Sequence, residues 1–177
     1  MSGGIMKKAL VLAAIAALVL VAALLAQDFT YVGAQKCVLC HKSEAQGRQS
    51  VIWEGTLHSK SFAALTSPKA AEACKAMGVD KPAEDPRCLK CHAPLADKAP
   101  ELKAEGVSCE TCHGPGSAYR KLNIMKDRDL SAKNGLILYG SPEAIKAQCM
   151  TCHDNPHGIA FDFAAAWEKI KHPVPNK

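Results

Sequence analysis

The chain has 177 residues and a formal net charge of +5. Lys7 and Lys8 supply two of those charges, so residues 27–177 carry +3, too little to call for a nucleic-acid partner. That length fits one domain, or one domain and a targeting segment, and nine cysteines with 5% aromatic residues exclude a conventional core built on large aromatic side chains.

In chain order, Lys7 and Lys8 precede residues 9–26, an unbroken run of eighteen Ala, Val, Leu and Ile residues. As a helix this run reaches about 27 Å, long for a signal peptide and slightly short of a hydrocarbon core. Small residues at Val21, Ala22 and Ala23 favour an export signal cut by a signal peptidase over a retained membrane anchor. Residues 1–26 are therefore set apart from a single domain over 27–177.

Four segments then repeat one pattern, C-x-x-C-H: Cys37, Cys40, His41; Cys88, Cys91, His92; Cys109, Cys112, His113; and Cys149, Cys152, His153. Between them, a short helical stretch over residues 57–65 carries His58. Ser67-Pro68 reads as a helix N-cap and first position, with Gly78 closing that helix near Met77. The third motif is a short helix broken at once by Gly114-Pro115-Gly116, whose glycines serve either a close backbone approach or an ordinary turn. Ser141-Pro142-Glu143 opens a helix that runs into the fourth motif. Asp162 caps a last helix in which Phe163, Trp167 and Ile170 form one apolar face, and Pro173 stops it with His172 at its end. No segment carries a strand signal. The expected fold is mainly α: short helices and loops wrapped around cofactors.

The spacing of the motifs has one chemical explanation that fits every position. Two cysteines on one helical turn can each add to a vinyl group of the same haem, and the next residue then presents an imidazole to the iron. Zinc knuckles and disulfides account for the cysteine pairs but not for a histidine directly after each of them. With seven histidines in the chain, four such placements would arise by chance on the order of once in a few hundred thousand trials. Four covalently attached haem c groups are expected, with His41, His92, His113 and His153 as proximal iron ligands. Fewer than forty residues per haem leave the porphyrins to supply much of the core, and two propionates per haem bring the holoprotein near neutrality. The lysines at 121, 126, 169 and 171 read as solvated surface.

Three histidines remain for four distal positions: His58, His157 and His172. Each is a candidate distal ligand, and at least one iron is left without an imidazole. His157 lies too close in sequence to His153 to cap the opposite face of the same haem, so it reaches another haem or none. Met77, Met125 and Met150 read as packing residues, and Cys74, outside every motif, as a small buried helix residue.

Residues 31–41, 53–65 (WEGTLHSKSFAAL), 88–92, 106–119 (GVSCETCHGPGSAY) and 161–175 (FDFAAAWEKIKHPVP) together resemble the cytochrome c-554 group of multihaem cytochromes. The resemblance implies a mostly helical fold with closely stacked haem pairs, three bis-histidine haems and one five-coordinate haem. Some members have histidine where this chain has Tyr119, which removes one candidate distal ligand here. It further implies electron carriage between periplasmic oxidoreductases and a membrane electron-transport component. The expected role is that of a non-enzymatic, periplasmic or otherwise exported electron carrier. The alternatives are a small haem reductase acting on a nitrogen oxide at one open haem, and a subunit of an extracellular cytochrome filament.

Overall fold

A computed structural model describes residues 28–75, 77–154 and 157–174. Among these the regular structure is ten short α-helices and three 3-10 turns, with no strand. The helices are α1 (Gln35–His41), α2 (Gln49–Glu54), α3 (Ser61–Leu65), α4 (Pro68–Lys75), α5 (Pro86–His92), α6 (Cys109–His113), α7 (Leu122–Met125), α8 (Arg128–Lys133), α9 (Pro142–Met150) and α10 (Phe163–Ile170). The 3-10 turns are Glu44–Gln46, His58–Lys60 and Pro100–Glu105. The fold is mainly α, as expected. The apolar run at 9–26 lies outside the described residues, and among the described residues no helix is long and apolar enough to cross a membrane.

Helix ends follow local chemistry. Ser141 Oγ accepts from Ala144 N at 3.2 Å and Asp162 Oδ1 from Ala165 N at 3.1 Å, capping α9 and α10 at the expected residues. Gly78 adopts φ +66° and closes the turn after α4 in a Schellman arrangement. There Val79 N donates to Cys74 O and Gly78 N to Lys75 O, both at 3.0 Å. Sequence reasoning passed over two further caps, Asp85 ahead of Pro86 on α5 and Asp127 ahead of α8.

The protein's own core is thin. Among the described residues the buried apolar ones are Ala34, Leu65, Val79, Ala93, Leu95, Ala99 and Tyr119, and the largest fully buried side chains are Glu110 and Ser131. By contrast Leu57 is 84% exposed and Ile159 73%. Leu57, Ile159, Phe163, Trp167 and Ile170 line a cavity of 2190 Å³. Ligand pockets typically hold about 300–1,000 Å³, so this space suits more than one large cofactor.

Backbone-to-side-chain bonds tie the elements together. Glu110, inside the third motif, accepts from Val32 N at 3.0 Å, Gly33 N at 2.8 Å and Gly116 N at 2.6 Å. Glu105 accepts from Ala34 N at 2.9 Å. Two carboxylates thus take up the backbone donors of residues 32–34, just ahead of α1, and dock the first motif against the third. Gly114, at φ +79°, is required by a close approach: a Cβ there would stand 2.5 Å from the carbonyl oxygen of Gly135. The turn after the third motif therefore serves protein packing.

Candidate functional site

The first three motifs sit on α1, α5 and α6, each of which ends on its histidine, and the fourth starts at Cys149 near the end of α9. In the fourth, His153 N still donates to Cys149 O at 3.0 Å, so the turn continues through the motif. One helical turn puts both thiols on one side and presents the imidazole beside them.

The three remaining histidines each meet a motif histidine distant in sequence. The ring centroids of His58 and His153 are 6.1 Å apart, those of His92 and His157 6.1 Å, and those of His113 and His172 5.8 Å. A metal held between two imidazoles by bonds of about 2 Å, each nitrogen lying on its ring's rim, separates the centroids by about 6 Å. The interplanar angles of 49°, 72° and 28° correspond to different rotations about such an axis. Packed aromatic pairs also span centroid distances of about 4.5–7 Å. Packing does not explain why each pair joins one motif histidine to one spare histidine with none used twice.

Protonation suits metal binding, which needs neutral imidazole. Burial, with His172 and His41 nearby, holds His113 down at about 4. Burial lowers His58, helped by the neighbouring His153, and burial lowers His153 itself. His172 is lowered by burial first and then by His41.

Two motif histidines have an identified partner for Nδ1, which leaves Nε2 directed at the metal side. His92 Nδ1 lies 2.9 Å from Ser61 O, and His41 Nδ1 lies 3.2 Å from Gln49 Oε1. Ser61 binds on several sides. Its Oγ stands 2.8 Å from both His58 O and His92 O, its one proton shared between them, and accepts from Val107 N at 3.0 Å. Trp53 Nε1 donates to Val107 O at 2.8 Å, so α2 braces the same junction. Two tyrosines brace the third motif: Tyr119 OH donates to Gly114 O at 3.0 Å and Tyr139 OH to Cys112 O at 2.8 Å.

The cysteines of different motifs are neighbours. The Cys109 thiol beside Cys37, together with burial, pushes Cys37 far above its ordinary value. Burial and Cys152 push Cys91 up to about 11, and burial with Cys149 and Cys152 does the same to Cys112. The thiols thus group first motif with third, second with fourth, and third with fourth. Cys74 is half-buried on α4, and its thiol neighbours Cys88.

Of the sequence-predicted site residues, His92, His113, His153, His58, His157 and His172 are brought into imidazole pairs and His41 is not. Cys37, Cys91, Cys109, Cys112, Cys149 and Cys152 neighbour a thiol of another motif, whereas Cys88 neighbours Cys74 and Cys40 joins no such group. Sequence reasoning missed Gln49, Ser61, Glu105 and Glu110. A glutamate between the two cysteines of a motif was the one visible signal, and by itself it reads as a solvent-facing residue.

Helical C-x-x-C-H motifs with histidines gathered opposite them define a c-type cytochrome. The comparisons with known proteins agree. Residues 36–114 match the family described as Cytochrome c554 and c-prime. The chain is also 29% identical over 159 residues to Cytochrome c-554 of Nitrosomonas europaea, an alignment that takes in 80% of this chain and 65% of that protein. No solved structure matches. Over these residues the chain is similar to the cytochrome c-554 family.

Proposed function

We propose that this chain is a tetrahaem electron carrier. The observation that supports it most directly is the set of three cross-motif imidazole pairs at 5.8–6.1 Å. In this reading Cys37 and Cys40, Cys88 and Cys91, Cys109 and Cys112, and Cys149 and Cys152 hold one haem each through thioethers. His41, His92, His113 and His153 are the proximal ligands, and His157, His172 and His58 are the distal ligands for the second, third and fourth haems. Bound haem iron supplies the one-electron Fe(II)/Fe(III) couple for outer-sphere transfer.

The chain's own residues do the rest. Imidazole on both sides, without a methionine, sets low potentials. The neighbouring thiols support a series running first, third, fourth, second, within which the first and third haems and the second and fourth form close pairs. Glu105 and Glu110 hold the first pair in register through the backbone at 32–34. Ser61 fixes the His92 ring and ties its backbone to that of His58. Exported donors and acceptors, a periplasmic oxidoreductase on one side and a membrane electron-transport component on the other, fit a chain whose residues 9–26 are an unbroken apolar run.

The test is a redox titration of the purified holoprotein followed by optical, EPR and magnetic circular dichroism spectra, with haems counted by intact mass. Four haems are expected, three of them low-spin with two imidazoles and titrating at low potential. His58→Ala, His157→Ala and His172→Ala should each add one high-spin haem while keeping all four attached, because attachment depends on the thioethers. Unchanged spin states in all three variants would remove the pairing. Sustained turnover of nitrite or hydroxylamine would replace the carrier reading with the reductase one.

A further inference from the structure

The three imidazole pairs use six of the seven histidines in the chain. All seven lie among the described residues, and the one left over is His41, on the first motif. Its surroundings are built with care. Gln49, the first residue of α2, places Oε1 3.2 Å from His41 Nδ1, while its Nε2 donates to Pro173 O at 3.0 Å. Pro173 directly follows His172, the partner of His113. One amide therefore spans from the first motif's imidazole to the backbone that carries the third motif's distal imidazole.

The backbone is bent to put it there. Arg48, just before Gln49, holds φ +53° and is the one non-glycine residue with positive φ among the described residues. Such a conformation is strained for a residue with a side chain and persists where surrounding structure imposes it. Gly47, at φ +89°, lets the C-terminal segment come close: a Cβ there would lie 3.0 Å from both Pro173 O and Gln49 Nε2. His41 is tied to α2 a second time by Ser50, whose Oγ donates to the His41 carbonyl at 3.2 Å.

Resting on the tetrahaem reading, we infer that His41 is the proximal ligand of an iron with no second imidazole, and that Gln49 is its positioning residue. The N-terminal haem site is then the one that accepts a small diatomic ligand such as carbon monoxide. Gln49 Oε1 accepts the Nδ1 proton, which fixes the tautomer with Nε2 free for iron and makes the imidazole a stronger donor. Through Pro173 the same side chain holds His172 against the neighbouring site, linking the open site mechanically to the adjacent bis-imidazole one.

The iron–histidine stretching band, seen by resonance Raman in five-coordinate ferrous haem, tests this, because it responds to the hydrogen bond on Nδ1. In the reduced holoprotein a single such band is expected. Gln49→Leu removes the acceptor and should move the band to lower frequency. Gln49→Glu supplies a stronger acceptor and should move it higher, so the contact is still read if the leucine variant assembles poorly. His157→Ala should leave that band in place and add a second one. An iron–histidine band that ignores both Gln49 variants would place the open iron on another motif and overturn the inference. No such band in the wild type, as with a methionine on the first iron, would overturn it equally. Fewer than four haems by intact mass would instead overturn the tetrahaem reading, and the inference with it.

Discussion

Two regions of this protein are held in opposite ways. Around Glu110, segment 28–34 and the loop after the third motif are joined by polar bonds supplied by the chain itself. Glu110 has 1% of its surface exposed and satisfies three backbone donors, and Thr30 and Ser117 exchange bonds at 2.9 and 3.1 Å. Along α10 the pattern reverses. Asp162 caps the helix, but its apolar face of Phe163, Trp167 and Ile170 lines the large cavity together with Cys91, Cys149 and Cys152. Directional bonds specify the first region without help. The second presents apolar surface whose burial depends on large flat partners, as haem would be.

The sharpest way to break this contrast is to produce the chain without haem. The cavity side should then lose its packing, and circular dichroism should show no cooperative unfolding transition. A native-like cooperative fold without haem would mean that the chain's own contacts suffice on both sides.

Glu110→Ala in the holoprotein tests the other side. It strands the donors of Val32, Gly33 and Gly116, and each buried donor left unpaired costs about 1–3 kcal/mol. A loss of about 3 kcal/mol or more is expected in the unfolding free energy of the holoprotein from denaturant titration. A loss under about 1 kcal/mol would show that the first and third motifs are docked by something other than this carboxylate.

Trp53 stands at the seam, where its indole bonds Val107 beside Ser61 and His58. Trp53→Phe keeps most of the apolar body and removes the donor, so about 1 kcal/mol of stability should be lost. Spin states at His58 and His92 should stay unchanged. A change in either would show that the indole positions the ligands as well as the backbone.

The smallest effect is expected at Cys74. Cys74→Ala removes a thiol beside Cys88 that could otherwise compete with haem attachment there. Haem content by intact mass should stay at the wild-type value. Loss of a haem in this variant would make Cys74 part of the second site.

Local chemistry made much of this legible in the sequence. Thioether attachment demands two cysteines and a histidine within one helical turn, so the motifs announce themselves without knowledge of the fold. Ser141, Asp162 and Gly78 work the same way, because a cap acts on a backbone group only a few residues distant. With four haems expected from the motifs, counting histidines also left one iron without a second imidazole. Tertiary structure alone decided which motif histidine faces His58, His157 or His172, since any of the three satisfies composition equally well. It also decided that His41 is left over, and that Gln49 and Glu110, ordinary polar residues in sequence, stand where two distant segments meet. Pairings of this kind depend on how loops close in space, and sequence spacing carries no record of that.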